Sequence, residues 1–186
     1  MITMRADCPD LSRIANIFAA AGKHAPLALV RGINQTGNKT RTGMVRALVG
    51  QSGLKHKTIN KALKKKSAYG SNFAYEINSR GGNISLKYFN AKESRGGVTA
   101  HPWASAQRYS NAFIKGGRFP NRKEATGLGG HVFQRAGKAR LKINKVKSNL
   151  FIPTEMTTGA TETTFYREAM AGLEKNITTK LFSFIK

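Results

Sequence analysis

The apolar residues of this chain change their spacing twice, and that double change restricts the fold more than any single motif. Up to about residue 66 they recur at three- and four-residue steps, from residue 68 they alternate, and from about residue 161 the longer steps return. Steps of three and four place side chains on one face of a helix, and alternation places them on one face of a strand. The expected fold is therefore α+β: N-terminal helices, a central antiparallel β-sheet built from hairpins, and a long C-terminal amphipathic helix packed on that sheet or on a neighbouring molecule. The corresponding parts are 1–66, a basic β part over 67–150, and 151–186, together one domain. A chain of 186 residues buries about 70% of the surface it exposes when unfolded, enough for a real core.

Residues 11–21 read as a short helix opened by Asp10. A longer helix starts near Ala25, with Pro26 in its first turn, where a missing N–H costs nothing. Leu27, Val30, Ile33, Gly37, Met44 and Leu48 form its expected buried stripe. Gly32, Gly37 and Gly43 each cost about 1 kcal/mol relative to Ala in a helix interior. Such a helix needs close packing or a break near Gly37 and Asn38. Ser52-Gly53 ends it, and 54–66 reads as a third helix with Ile59, Ala62 and Leu63 inward and its lysines outward.

Phe73, Tyr75 and Ile77, then Ile84, Leu86 and Tyr88, alternate around a turn at 79–82 and predict a hairpin. Weaker strands are expected over 98–103 and 112–115, a surface loop over 118–130, and a second hairpin from 131–135 and 139–146. In the last segment Phe165, Ala169, Leu173, Ile177, Leu181 and Phe184 share one helix face, available for core or assembly contacts.

Charge narrows the function. The chain has 32 Lys and Arg against 9 Asp and Glu, a net +23. Residues 1–150 hold 28 basic and 5 acidic side chains and residues 151–186 hold 4 of each, so the whole excess precedes Phe151. Self-repulsion of this size calls for an anionic partner or for dilution within an assembly, with nucleic acid the leading candidate partner. Two segments carry it: Lys55, Lys57, Lys61, Lys64, Lys65 and Lys66 around the third helix, and Arg135, Lys138, Arg140, Lys142, Lys145 and Lys147 around the second hairpin. The bland reading of either alone is a solvated basic face; together they favour phosphate contact. Residues 48–63, LVGQSGLKHKTINKAL, also have the turn glycine and inward positions of a helix-turn-helix, so a sequence-specific DNA-binding regulator is the alternative. An RNA-binding protein of ribosomal type would explain the charge but not the apolar C-terminal helix.

Catalysis finds little support. The carboxylates are scattered, and His24, His56, His101 and His131 lack metal-ligand spacing. A lone Cys8 leaves no internal disulfide and no zinc cage. Gly127-Leu128-Gly129-Gly130 lacks the spacing of a phosphate-cradling loop. No enzyme activity, cofactor or metal is expected, nor an export signal or a membrane partner.

The order of four blocks carries a resemblance. They are residues 26–66, with LALVRGINQTGNKTRTGMVRALVGQ; residues 84–103, ISLKYFNAKESRGGVTAHPW; residues 130–143, GHVFQRAGKARLKI; and residues 152–185, beginning IPTEMTTGATETTFYREAM. In this order they resemble the minor tail protein Z family of long-tailed phages and prophages. The resemblance covers most of the chain from about Ala25 and leaves the first 24 residues unmatched. It implies a structural virion protein, a tail-completion or neck component at the head-proximal end of the tail, assembled in the host bacterial cytoplasm. Its implied partners are copies of itself in a ring, a hexamer on tail-tube symmetry, the tail terminator or tail tube, the head-connector proteins, and non-specific double-stranded DNA. It carries over no catalytic residues.

Overall fold

The computed structural model describes residues 2–4, 22–137 and 142–185. The expected helix over 11–21, together with Cys8, lies outside them. In chain order the elements are β1 (Ile2–Met4), α1 (Ala25–Ser52), α2 (His56–Ala62), β2 (Leu63–Lys66), β3 (Glu76–Ser79), β4 (Lys92–Ser94), β5 (Gly97–Ala100), β6 (Gln107–Ser110), β7 (Ala112–Phe113), β8 (Phe133–Arg135), β9 (Ile143–Lys145), α3 (Ile152–Met156) and α4 (Gly159–Ile185). The α+β class and the long terminal helix are as the periodicity predicts. Among the described residues no helix is long and apolar enough to cross a membrane.

Helix α1 starts with Pro26 in its first turn and ends at Gly53, whose left-handed backbone (φ 73°) lets its N–H reach the Val49 carbonyl at 3.1 Å. It runs through Gly37 and Asn38 without a break, because the glycines are used for close packing. The stripe expected from Leu27, Val30 and Ile33 is displaced: Leu27 is exposed and the other two are half-buried. The face turned inward holds Ala25, Ala28, Gly32, Thr36, Gly37 and Thr40, then Met44, Val45 and Leu48.

Helix α4 explains that choice of small residues. A Cβ on Gly32 would sit 2.8 Å from Ile177 Cα, one on Gly43 would sit 3.2 Å from Thr164 Cγ2, and one on Gly37 would enter the Tyr75 ring. Thr36 Oγ1 lies 3.0 Å from the Gly32 carbonyl oxygen and 3.3 Å from that of Gly172, and accepts from Asn176 Nδ2 at 2.9 Å. The apolar stripe of α4 thus packs on α1, rather than chiefly on the sheet or a neighbour. Phe165, Ala169, Ile177 and Leu181 are buried and Leu173 and Phe184 half-buried. Phe184 stacks on His24 at 5.4 Å, with the Arg31 guanidinium 5.3 Å from its ring.

The third helix is shorter than expected. It stops at Ala62, and Leu63 opens β2 instead. Two tertiary interactions override the local helical pattern: β2 pairs along β3, and Arg41 of α1 donates to the carbonyls of Leu63 (2.8 Å) and Asn60 (2.9 Å). The first expected hairpin also fails. Both edges of β3 are occupied, by β1 and β2, so 84–88 cannot pair with it. Ile84 instead exchanges backbone hydrogen bonds with Leu150 and Ser148 at 3.1 and 2.8 Å, and Leu86–Tyr88 forms a 3-10 turn. The second hairpin forms in the expected register region, with Arg135 opposite Ile143.

The β part is three three-stranded sheets, β1-β3-β2, β4-β5-β6 and β7-β8-β9, rather than one. They share one core, in which Met44, Leu48, Leu54, Ile59, Leu63, Ile77, Leu86, Phe89, Leu150 and Met156 are almost fully buried.

Gly32→Ala is expected to lower stability by about 1–3 kcal/mol through overpacking against Ile177. Gly50→Ala in the same helix, where a Cβ meets nothing within 4 Å, should raise it by up to about 1 kcal/mol. Leu181→Ala should cost about 2–5 kcal/mol and the half-buried Leu173→Ala less. Urea denaturation midpoints of the four variants check the ranking.

Candidate nucleic-acid interface

Burial of Ile59 and Leu63 orients the first basic segment. With those two side chains inward, Lys55, Lys57, Lys61 and Lys64 are exposed, and Lys57 and Lys61 share one face of α2 at four-residue spacing. Among the described residues no carboxylate lies within ion-pair distance of any of these four. Lys65 is engaged with the Asn38 side chain at 2.7 Å, and Lys66 with Glu76 at 3.9 Å. Lys64 and Lys65 sit on strand β2 rather than on a helix, so successive lysines point to opposite sides of it. The expected second helix of a helix-turn-helix is only the seven residues of α2, about 10 Å of helix.

The second segment lies on β8 and β9, in a different sheet. Lys142, Lys145 and Lys147 are exposed, while Lys138 and Arg140 lie outside the described residues. Phe133 faces Lys145 and Arg135 faces Ile143. Directly opposed residues share a face, so Arg135 and Lys145 lie on one side of the hairpin and Lys142, by alternation, on the other. The Arg135 guanidinium lies 5.5 Å from the Phe113 ring centre. Behind the hairpin, His131 Nδ1 meets the Ser85 hydroxyl at 2.9 Å. Burial, then the charges of Lys145 and Lys87, push the His131 pKa below its ordinary 6.5.

A third basic feature is not evident from the sequence. A cleft of about 530 Å³ lies between the β4–β5 turn, the segment after β7, and β8, lined by Arg95, Lys115, Arg122 and Arg135 and by the glycine pairs 96–97 and 116–117. Its support is the side chain of Glu93, only 8% exposed. One carboxylate oxygen accepts the backbone N–H groups of Ile114 and Lys115 at 3.2 and 3.0 Å, and the other pairs with Arg122 Nη1. Arg122 Nε is buried with no hydrogen-bond partner among the described residues. The available signal is the repeated cation-Gly-Gly of Arg95-Gly96-Gly97 and Lys115-Gly116-Gly117, which are distant in sequence.

No family model, curated protein or solved structure matches the chain.

The depressed pKa of His131 has a pH consequence. As pH falls, the unfolded chain takes up the imidazole proton before the folded one does. The contribution of this group to stability is thus complete above about pH 6.5 and declines below it. His131→Gln should show a smaller fall in Tm between about pH 7.5 and about pH 5.5 than the parent protein does. An NMR titration of His131 should show a midpoint below 6.5.

Proposed function

We propose that this chain is a structural virion protein, a tail-completion or neck component at the head-proximal end of a phage tail, forming a ring, hexameric on tail-tube symmetry, around the DNA channel. It adjoins the tail terminator or tail tube on one side and the head connector on the other. The observation that carries the DNA-facing part of this reading is the charge of residues 55–147, which hold 21 basic and 3 acidic side chains. Two of those carboxylates are engaged within the chain, Glu76 beside Lys66 and Glu93 on Arg122. Most of the cations face solvent on several elements, the arrangement suited to phosphate contact without base reading. The sequence blocks supply the tail assignment. Helix α4 has balanced charge, and its exposed Tyr166, Met170 and Phe182 offer apolar contacts between subunits.

Two measurements test this. Purified phage particles should contain the protein, and a label at Lys186 should appear at the head–tail junction in micrographs; its absence from that junction sinks the tail reading. In solution, log affinity for duplex DNA should fall with log salt at about −0.9 per neutralised phosphate, equally for unrelated sequences. Lys57→Gln, Lys61→Gln and Lys64→Gln together should reduce that slope by up to about 3 units. One sequence bound at least about a thousandfold more tightly than the rest would favour the regulator using residues 48–63.

A further inference from the structure

We infer that the cleft between β5 and β8 is a built binding site for the phosphodiester backbone of DNA, with Arg95, Lys115, Arg122 and Arg135 as its cationic lining. The inference rests on the proposed DNA-facing role and names where the backbone is gripped. Four cations line the cleft and no carboxylate does. The acid behind it, Glu93, is directed away from ligand duty: it is buried, holds the backbone of Lys115 and clamps Arg122. That clamp orders the guanidinium before any anion arrives, which limits the ordering cost of binding. The planar fork of arginine matches phosphate oxygens better than a lysine ammonium does.

A further feature fits an anion. The glycines remove side chains from the cleft wall and let a ligand approach the backbone closely. One of them is also required: Gly97 has φ 135°, where a Cβ would meet the Tyr109 carbonyl, while Gly96 lies against the movable Arg108 guanidinium. Arg108 thereby brings a fifth cation to the β4–β5 turn. The volume of about 530 Å³ leaves room for a phosphate together with its sugars and its neighbours.

The test uses fluorescence anisotropy with a labelled random-sequence duplex of about 20 bp over a salt series. Arg95→Gln with Lys115→Gln removes two exposed cations of the cleft. Lys23→Gln with Lys175→Gln removes the same charge from exposed positions elsewhere. The cleft pair should weaken binding about tenfold or more and lower the salt slope by about 2 units, while the control pair changes affinity less than about twofold. The single variants, each expected to show about half the slope change, keep the test open if the double variant melts early. If the cleft pair behaves like the control while Lys57→Gln, Lys61→Gln and Lys64→Gln still reduce binding, the cleft inference falls and the DNA-facing reading stands. If the parent protein does not bind the duplex, both fall. If calorimetry finds inorganic phosphate bound through Arg95 and Lys115 but duplex affinity unchanged in the cleft pair, the site takes small anions and the phosphodiester assignment is wrong.

Discussion

The contact of α1 with α4 at Gly32 and Thr36 is the constraint on which the rest of the molecule depends. Ile177 lies where a side chain on residue 32 would be, and the Thr36 hydroxyl is enclosed by Gly172 and Asn176 from α4. Two long helices separated by 136 residues at that contact are brought together at the distance only glycine allows. Once α1 is seated, its polar side chains organise the segments packed around it. Asn34 exchanges two hydrogen bonds with the backbone of Ala68, at 3.0 and 2.8 Å, as a strand would. Arg41 holds the end of α2, and Asn38 accepts from Lys65 and from the Tyr75 hydroxyl. At the far end Gln51 donates to Glu155 at 2.7 Å and accepts from Thr161, tying α1 to α3 and to the start of α4.

A chain with nine carboxylates and 32 cations has few acids to arrange, and several of them hold structure. Glu93 caps two backbone amides and fixes Arg122, Glu76 meets Lys66 across β2 and β3, and Glu155 joins Gln51 to the Trp103 indole N–H. Isolated exposed pairs contribute little to stability. The buried Glu93 is different, because it satisfies backbone donors as well as a charge. Most of the cations are left to face solvent, and their mutual repulsion is relieved by salt or by a polyanion. The excess of positive charge is therefore something the fold tolerates rather than something that holds it together.

The exposed cations fall into two settings. The lysines of α2 and β2 are long side chains at the surface, attractive to any phosphate and selective for none. The cleft beside Glu93 is ordered, with one guanidinium clamped and the glycine backbone open. The neutral α4 lies apart from this chemistry, with its buried face against α1 and its outward apolar side chains free of it.

Legibility in the sequence tracks the range of the interaction concerned. The long helices, the glycine stop after Ser52 and the β8–β9 hairpin are readable because periodicity, a proline in the first turn and a turn between two alternating runs act within a few residues. The same local signals extend α2 through Lys66 and pair 73–77 with 84–88. Both errors arise because β3 selects partners from distant parts of the chain, β2 on one edge and β1 on the other. Spacing alone places Leu27 inside and leaves close packing or a break as the two readings of the glycines; the approach of α4 at Gly32 selects close packing, and the buried face differs from the expected one, since a helix interface is decided by the partner's shape as much as by hydrophobicity. The basic residues themselves are legible, but not the cleft, whose cations lie up to 40 residues apart, from Arg95 to Arg135. Composition and local periodicity thus determined the charge, the element types and the presence of a basic surface. Only tertiary structure decided which strands pair, which face of α1 is buried and which cations share a site, because each of these depends on excluded volume and backbone hydrogen bonding between segments that have no local means of sensing one another.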